Sequence, residues 1–531
     1  MRGLCRCVFR KRRNIGGFHA MNLQQHTNQK KIGILLSYAG MGMNALIQIV
    51  YTPVMIRLLG QSEYGLYHLV YSIVGYLGLL GFGFSSAYVR FYAQRKSAGQ
   101  ENAIAQLNGM FLVVLLCISL VACTAGGLLT HSIGWMFRDT LTGPEIETTR
   151  VLMAFLTLNL AITFPASLFD CYITAHEQFF FQRIVNLLRT ALNPFLALPL
   201  LLMGFRSVAM VAVTTALTVA SLIVNIWYCR RKLRMRFYFR KLNFALFGEI
   251  GVFCFYIFLN EIVNQINWSS DKFLLGMMSG SAAVAVYAVA GTINNIYMQF
   301  STTISSVFIP QVNQMIADHR PGGELTKLFT KVGRVQFAVM MLICSGLIFF
   351  GRPFVYFYAG PAYTDCYQVI LLLVIPVTIP LIQNLGIEIQ RAMNKHKFRS
   401  VVYLVIAAAN VFVSIPMIHV FGVAGAAFGT ALTLLIGNGL VMNIYYHKVI
   451  GIDILSFWRQ ILLLSRGLLI PAVLGGVLCM TVDLYRISAL LLSILLYTLV
   501  YGLSMWRFGL CEDEKRMVRE SCQAVSRHRR K

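Results

Sequence analysis

Charged residues are scarce in this sequence: they make up 12% of the chain, whereas a soluble domain carries about 25%. Acidic residues are the rarest, with 20 Asp and Glu against 46 Lys and Arg. Hydrophobic residues form 57% of the chain, and the mean hydropathy is +0.67. This composition excludes an ordinary soluble domain and predicts an integral membrane protein. A formal net charge of +26 suggests nucleic-acid binding in a soluble protein, but here we expect no nucleic-acid partner, because membrane topology explains the positive charge.

Sequence patterns of metal centres and phosphate-binding loops are also lacking. The twelve cysteines are scattered, mostly inside apolar runs, without the spacing of a zinc site. The sequence contains no glycine-rich phosphate loop, and the predicted outer loops are too short for a catalytic domain. We therefore expect a protein that is not an enzyme, with no catalytic residues, no metal centre and no organic cofactor. Na⁺ and H⁺ are the candidate coupling ions.

The first twenty residues are basic but have no apolar core, so they do not form a secretory signal peptide. Met21 is an alternative translation start.

Apolar runs of about 20 residues indicate membrane-spanning helices. We predict an all-α integral membrane protein with about fourteen spans. Pro376 and Pro380 lie inside one run, where proline often marks a kink. The spans are 32–56, 64–88, 107–130, 151–173, 184–204, 207–229, 247–270, 282–308, 331–350, 366–389, 400–420, 424–446, 461–481 and 487–506.

Loop charges support this topology. With the N-terminus in the cytoplasm, all but seven of the 46 Lys and Arg fall on the cytoplasmic side, which is the distribution that the positive-inside rule requires. We therefore expect a multi-pass protein of the cell (plasma) membrane with both termini cytoplasmic. The seven exceptions are Arg57, Arg138, Arg150, Arg206, Lys272, Arg352 and Arg486.

The halves of the chain resemble each other at an offset near 217. Phe181, Asn193 and Pro199 match Phe398, Asn410 and Pro416, Ala175-His176-Glu177 lies opposite Ala392-Met393-Asn394, and Leu59-Gly60 matches Leu275-Gly276. Each repeat holds six helices, so we predict two pseudo-symmetric lobes of one orientation, as in transporters that rock two halves about a central site. The predicted segments are a basic cytoplasmic segment 1–30, an N-terminal lobe 31–235, a C-terminal lobe 236–450, a helix pair 451–510 and a cytoplasmic tail 511–531.

A polar stripe interrupts the seventh apolar run. Asn260, Asn264, Asn267 and Asp271 fall at helical spacing on one face. Polar groups at membrane depth are costly and usually face the bundle interior or a water-filled path, so we expect this stripe to line a cavity. The other polar residues placed to join it are Asn44 and Gln48 in helix one, Asp170 in helix four, Asn295 and Gln299 in helix eight, and Glu388 in helix ten.

Two stretches of the sequence carry a family resemblance. The first is Pro53-Val-Met-Ile-Arg57-Leu-Leu-Gly60-Gln-Ser-Glu63-Tyr64-Gly65-Leu-Tyr67. Its counterpart in the second half is Asp271-Lys272-Phe-Leu-Leu-Gly276 followed by Val286-Tyr287. Over about residues 22–510 the chain resembles the oligosaccharide flippases among polysaccharide biosynthesis proteins. Their superfamily also includes lipid II flippases and multidrug and toxin extruders. The resemblance implies that the chain moves undecaprenyl-diphosphate-linked oligosaccharide from the cytoplasmic to the outer leaflet by alternating access. The implied partners are this lipid-linked oligosaccharide, the bilayer, and a polysaccharide polymerase or other assembly proteins.

Cationic side chains suit a diphosphate head group through charge-assisted hydrogen bonds. The candidates are Arg57 and Lys272 near the outer end, Arg90, Arg189 and Arg391 near the inner end, and the polar residues of the stripes. Asp271, Glu261, Glu388 and Asp170 are the candidate ion-coupling groups. For Asp271, simple ion pairing remains an equal alternative to ion coupling.

Two other functions stay open. A cation-coupled multidrug antiporter predicts a cavity rich in acidic and aromatic groups, whereas the candidate cavity here has as many cations. A lipid II type flippase cannot be separated from an oligosaccharide flippase by sequence.

Overall fold

A computed structural model of the chain describes residues 40, 42–81, 83–239, 244–395, 397–512, 514–516 and 519. The predicted N-terminal segment 1–30 and most of the tail 511–531 lie outside these residues. The described residues form helices and short connections and contain no strand, as expected for a chain whose backbone groups must pair internally in lipid. The helices are α1 (Thr52–Gly78), α2 (Phe84–Ser97), α3 (Glu101–Met136), α4 (Gly143–Ala175), α5 (Phe179–Leu202), α6 (Arg206–Arg231), α7 (Phe244–Ala317), α8 (Gly322–Tyr358), α9 (Cys366–Ile382), α10 (Leu385–Ala392), α11 (Lys397–Phe421), α12 (Val423–Ile450), α13 (Ile454–Thr481) and α14 (Ile487–Gly509).

Within the described residues, 11 helices are long and apolar enough to cross a membrane, or up to 12 if the bent pair α9 and α10 counts as one span. The sequence predicted fourteen. The difference lies mainly in two long helical runs, Gly42–Ser97 and Glu261–Ala317, each of which covers two predicted spans.

Both long runs break at a glycine with a backbone conformation that other residues rarely adopt. Gly60 has φ 76° and ψ 172°, and Gly280 has φ 83° and ψ −174°. This region of backbone space is essentially reserved for glycine. The sequence repeat paired Gly60 with Gly276, but the conformational counterpart of Gly60 is Gly280; Gly276 continues the helix.

The predicted span 366–389 is not straight. Its two parts, α9 and α10, meet at an angle of 44°. Pro376 and Pro380 lie in the last turns of α9, where each removes a backbone donor and displaces the carbonyl one turn earlier. A bend is present in this span, and it lies at Gln383–Asn384, just after the two prolines.

The predicted span 64–88 is interrupted as well. α1 ends at Gly78, and α2 begins only at Phe84 after Gly83, whose φ is 69°. Three glycines, Gly78, Gly81 and Gly83, fall where the helix ends earlier than hydropathy alone indicates.

The chain divides into two compact units at Ile262–Val263, a position inside α7. In the first unit, α3 packs on α4 and α4 on α6, around buried residues such as Tyr88, Phe111 and Leu168. In the second unit, α8 packs on α9, α13 and α14, and α12 packs on α11 and α9.

Features of the sequence repeat recur inside each unit at offsets of 216 and 217. Glu177 and Asn394 are both non-glycine residues with positive φ, 57° and 55°. Asn193 Nδ2 donates to Thr214 Oγ1 at 3.1 Å, and Asn410 Nδ2 donates to Thr430 Oγ1 at 3.2 Å. The internal repeat therefore has counterparts in backbone conformation and in side-chain contacts.

Candidate functional site

The acidic side chain Asp271 lies inside the second unit with 2% of its surface exposed. Thr430 Oγ1 donates to its Oδ2 at 2.7 Å, and Ser414 Oγ lies 3.5 Å from its Oδ1. The hydroxyl of Tyr287 also donates to Oδ2. These three partners of Asp271 are hydroxyl groups from α7, α11 and α12, so neutral donors hold the carboxylate.

The break at Gly280 explains how Tyr287 reaches Asp271. The two residues are 16 positions apart in α7, and in an unbroken helix a rise of about 1.5 Å per residue places them roughly 24 Å apart. Because the chain turns at Gly280, the helix returns past itself and the two side chains meet. The glycine conformation is therefore a condition for this site.

A second layer of polar groups orients the hydroxyls. Asn410 Oδ1 accepts from Ser414 Oγ at 3.1 Å, while Asn410 Nδ2 donates to Thr430 Oγ1. Asn410 and Ser414 are four residues apart on α11, so they lie on one face of the helix. Together with Asp271, these groups bring five side-chain oxygen atoms into one buried cluster, the kind of ligand set that hard cations prefer.

A cavity of about 180 Å³ adjoins this cluster within the second unit, and we call it the polar cavity. Thr430 and Asn410 belong both to its lining and to the Asp271 cluster. The remaining lining residues are Asn267, Trp268, Met298, Val377, Pro380, Leu381, Asn384, Ile387, Arg399, Tyr403, Ile406, Thr433, Leu434 and Asn438.

The predicted stripe is only partly in this cavity. Asn267 is half-buried and lines it, and Asp271 lies behind Thr430. The side chains of Asn260 and Asn264 lie outside the described part of the structure, and Glu261 is exposed. Asp271 is the stripe member for which the structure provides a defined set of partners.

Asp170, the acidic candidate of the first unit, has an amide partner. Asn225 Nδ2 donates to its Oδ1 at 2.7 Å, which joins α4 to α6. Nearby, Arg189 Nη2 donates to Thr218 Oγ1 at 2.8 Å, and Asn159 Nδ2 donates to the same hydroxyl at 3.0 Å. The first unit thus holds a polar network of carboxylate, amide, hydroxyl and guanidinium groups.

The other predicted cationic residues occupy varied positions. Arg57 and Arg90 are exposed, and Lys272 is half-buried beside Asp271. Arg391 forms an ion pair with Glu388 across 2.8 Å, one turn apart on α10. Each of these two candidates therefore has the other as a partner on its own helix.

The candidate amide side chains of the first and eighth predicted spans differ in their exposure. Asn44 and Asn295 are exposed, while Gln48 and Gln299 are half-buried. The structure brings none of these four into the lining of the polar cavity.

Sequence reasoning missed Arg399, Tyr287, Ser414 and Thr430 as site residues. Arg399 was counted only as a cytoplasmic loop charge, yet it is half-buried and lines the polar cavity. The i, i+4 spacing of Asn410 and Ser414 was available in the sequence as a signal. Among the described residues, no group of three or more His, Cys, Asp or Glu side chains could hold a metal ion.

Known proteins resemble this chain over most of its length. The uncharacterized membrane protein EpsK of Bacillus subtilis (strain 168) is 22% identical over 458 residues, covering 83% of this chain and 87% of EpsK. A candidate O-antigen transporter of Shigella flexneri is 19% identical over 415 residues, covering 76% of this chain and 95% of that protein.

Solved structures share the fold. The lipid II flippase MurJ in its inward closed conformation matches with a TM-score of 0.69 at 16% identity, covering 89% of this chain and 98% of MurJ. An inward-facing multidrug resistance MATE family transporter matches with a TM-score of 0.59 at 14% identity, covering 78% of this chain and 99% of the transporter.

The apolar helices and these likenesses make the chain a multi-pass membrane protein. The family described as polysaccharide biosynthesis protein matches residues 30–316, more than half of the sequence. The chain belongs to this family of polysaccharide biosynthesis proteins.

Proposed function

We propose that this protein is a flippase that moves an undecaprenyl-diphosphate-linked oligosaccharide from the cytoplasmic to the outer leaflet of the cell membrane. Membership of the polysaccharide biosynthesis family supports a carrier of saccharide intermediates. The likeness to the candidate O-antigen transporter supports the same class of cargo. Both termini are proposed to be cytoplasmic, as the loop charges predict.

The observation that carries this proposal is the buried Asp271 cluster. A carboxylate at membrane depth is expensive and marks a transport function by default. Asp271 is surrounded by hydroxyl and amide oxygen atoms of Thr430, Ser414 and Asn410. We propose that Na⁺ or H⁺ binds here and drives the return step of alternating access.

The cluster also suggests how ion binding is transmitted. Its ligands come from α7, α11 and α12, which are separate helices of one unit. A cation that draws the Asp271, Ser414 and Thr430 oxygens together changes how α11 and α12 pack against α7. Such differential contact between two states is what a ligand needs to shift a conformational equilibrium.

We propose that the membrane domain has fourteen spans in two six-helix lobes with a C-terminal helix pair. Counting each of the runs Gly42–Ser97 and Glu261–Ala317 as two spans divided at its glycine, together with the bent pair as one, gives fourteen. The contacts repeated at offsets of 216 and 217 support the two-lobe arrangement. An even number of spans per lobe gives both lobes the same orientation.

Positively charged side chains are proposed to attract the diphosphate. Arg57, Lys272 and Arg90 are the cations that the sequence identified for this role, and Lys272 lies on α7, which also lines the polar cavity. Arg391 is a weaker candidate, because Glu388 already neutralises it. A polysaccharide polymerase or another assembly protein is the proposed partner that receives the translocated oligosaccharide.

The test is a deletion of the gene in the native host, followed by extraction of lipid-linked oligosaccharides. We expect these intermediates to accumulate on the cytoplasmic side while surface polysaccharide is lost. The wild-type gene restores the surface polymer, and Asp271→Asn does not. Asp483→Asn is the matched control, because Asp483 is exposed and its ion-pair partner Arg486 is exposed too.

A deletion strain with normal surface polysaccharide and altered sensitivity to cationic drugs contradicts the flippase proposal and favours a multidrug antiporter. Accumulation of the peptidoglycan precursor lipid II instead of an oligosaccharide intermediate favours the lipid II type.

A further inference from the structure

Two hydrogen-bond donors of the polar cavity have no acceptor within the described part of the chain. They are Arg399 Nε and Asn438 Nδ2, and both are buried. Asn438 is 4% exposed. Leaving a buried donor unpaired costs about 1–3 kcal/mol, and more for a charged group. Two such donors in one cavity indicate that a ligand supplies the missing acceptor.

Neighbouring contacts fix the orientation of both groups. The hydroxyl of Tyr403 donates to Asn438 Oδ1 at 2.9 Å, which leaves the Nδ2 amide of Asn438 for another partner. The guanidinium of Arg399 lies over the ring of Tyr403, 4.6 Å from its centroid. Tyr403 therefore holds a cationic donor and a neutral donor in place at the cavity wall. Guanidinium and amide donors together suit the oxygen atoms of a phosphate.

An apolar groove of about 220 Å³ adjoins this cavity between α11 and α12. Ile406 and Thr433 line both spaces, so the groove and the cavity are neighbours within one unit. Val401, Val405 and Ile436 line the groove and are exposed on the surface of the helices. The other lining residues are Val402, Ala409, Gly437 and Val441.

The Arg399 guanidinium and the apolar groove follow each other along α11 in the order in which a membrane lipid places its head group and its chain. Arg399 lies in the first turn of α11, which begins at Lys397. The groove follows the same helix from Val401 to Ala409, so its far end lies about 15 Å beyond Arg399. This is half of the roughly 30 Å hydrocarbon core. On the predicted topology, α11 begins at the cytoplasmic face.

We infer that the second unit binds a single-chain lipid diphosphate from the cytoplasmic leaflet, with its phosphate at Arg399 and Asn438 and the first part of its chain in the groove between α11 and α12. The groove is one channel, which suits one polyprenyl chain better than the two chains of a glycerophospholipid. This inference rests on the proposed function, because it assigns the undecaprenyl diphosphate of the substrate to these residues.

The position of the cavity also links substrate and ion. Thr430 lines the polar cavity and donates to Asp271. A phosphate at Arg399 in the cavity and a cation at Asp271 behind its wall would therefore share the helices α11 and α12. Each ligand changes the packing that the other encounters, which is the requirement for coupling between two sites.

The experiment measures equilibrium binding of undecaprenyl diphosphate to the purified full-length protein in detergent micelles. We expect Arg399→Gln to weaken this binding at least tenfold and to leave binding of undecaprenol unchanged. Lys397→Gln is the matched charge control, because Lys397 is exposed two residues away. Ala409→Phe fills the groove and weakens binding of both lipids. Its control is Ala408→Phe, since Ala408 is exposed and outside the groove lining.

Competing ligands identify the source of the phosphate. Inorganic pyrophosphate and phosphatidylglycerol are expected to compete at least a hundredfold more weakly than undecaprenyl diphosphate. Pyrophosphate competing equally well overturns the role of the groove, and phosphatidylglycerol competing equally well overturns the assignment to a single chain. Wild-type affinity in Arg399→Gln overturns the inference as a whole.

A second variant covers the case in which Arg399→Gln does not fold, as judged by gel filtration. Asn438→Asp has nearly the same shape but turns a donor into a negative charge, so it is expected to weaken diphosphate binding by a similar factor. Wild-type affinity in Asn438→Asp contradicts the inference. The binding assay is independent of transport: tight, Arg399-dependent binding combined with no accumulation in the deletion strain would uphold this site and refute the flippase.

Discussion

The ring of Phe398 stacks on the ring of Tyr445, with 4.3 Å between centroids and 13° between planes. In the first unit, Phe181 stacks on Tyr228 at 3.7 Å and 11°. Both residues of the second pair lie 217 positions before those of the first. The same helix-to-helix contact is therefore built twice, from α5 to α6 and from α11 to α12.

The two stacks are expected to contribute similarly to stability. Phe181→Leu and Phe398→Leu should each lower the free energy of unfolding by about 1 kcal/mol, because an aromatic pair contributes about that much beyond burial. Chemical denaturation in detergent micelles measures the change. Phe412→Leu is the control, since Phe412 on α11 is 76% exposed. A loss in only one of the two stacks contradicts their equivalence.

The Thr430 hydroxyl is expected to matter for ion coupling more than its neighbours. Thr430→Val keeps the shape of the side chain but removes a 2.7 Å donor to Asp271, so cation-dependent transport should fall at least tenfold. Thr498→Val serves as the control, because Thr498 on α14 is exposed and its hydroxyl donates to the Ile494 carbonyl of its own helix. Transport in proteoliposomes, measured against cation concentration, separates the two variants. Equal transport by both would mean that Thr430 does not support the ion site.

Gly60 is expected to resist substitution even though there is space around it. A Cβ atom at Gly60 meets nothing within 4 Å, but the backbone there is in a region that costs about 1–3 kcal/mol for other residues. Gly60→Ala should therefore lower the free energy of unfolding by that amount. Gly291→Ala is the control, because Gly291 also has open space around it but lies in regular helix. No loss in Gly60→Ala would show that the break between the helices tolerates other conformations.

A buried ion pair fastens the C-terminal segment to α8. Arg334 Nε lies 2.6 Å from Glu514 Oε1, and Arg334 Nη2 lies 2.9 Å from Oε2. Arg334 also donates to the carbonyl oxygen atoms of Gln460 on α13 and Gly509 at the end of α14. This arginine therefore joins α8, α13, α14 and the tail at one point.

Removing one member of this pair should be costly. Glu514→Ala leaves a buried guanidinium unpaired, which typically costs about 3–5 kcal/mol, whereas the double variant Arg334→Met with Glu514→Leu should recover most of that loss. The free energy of unfolding of the three proteins decides between them. If Glu514→Ala is as stable as the wild type, the pair does not hold the tail in place.

The same pair predicts a pH dependence. Burial alone would raise the pKa of the Glu514 carboxyl, but hydrogen bonds from Arg334 and from the Cys511 backbone outweigh it and hold the pKa below its usual value. A lowered folded-state pKa means that the pair stabilises fully above the unfolded glutamate pKa of about 4.3. Its contribution is lost as the pH falls through the lower folded-state pKa. Stability in Glu514→Ala should therefore depend less on pH in the acidic range than in the wild type.

Hydropathy and loop charge predicted the membrane class, and most of the spans, because both are local properties of sequence. The repeat predicted equivalent positions such as Glu177 and Asn394, since backbone conformation there depends on short-range sequence. The partners of Asp271 could not be predicted in this way. They meet only because α7 turns at Gly280 and because α11 and α12 pack beside it, whereas the sequence repeat had paired Gly60 with Gly276.

The role of Arg399 could not be predicted from the sequence either. Its position at the start of an apolar run marks it as a topology signal in sequence, as for many Lys and Arg at helix ends. Only the packing of Tyr403 and Asn438 around it makes it part of a cavity.

Cation-coupled movement of a lipid-linked oligosaccharide is the central claim, and a reconstituted system tests it most directly. Purified protein in proteoliposomes, supplied with undecaprenyl-diphosphate-linked oligosaccharide, is exposed to a gradient of Na⁺ or of H⁺, and the fraction of lipid accessible at the opposite leaflet is measured over time. We expect transfer to accelerate at least tenfold with one of the two gradients and Asp271→Asn to abolish that acceleration. Transfer that is unchanged when both gradients are collapsed, or that is equally fast in Asp271→Asn, would contradict the account.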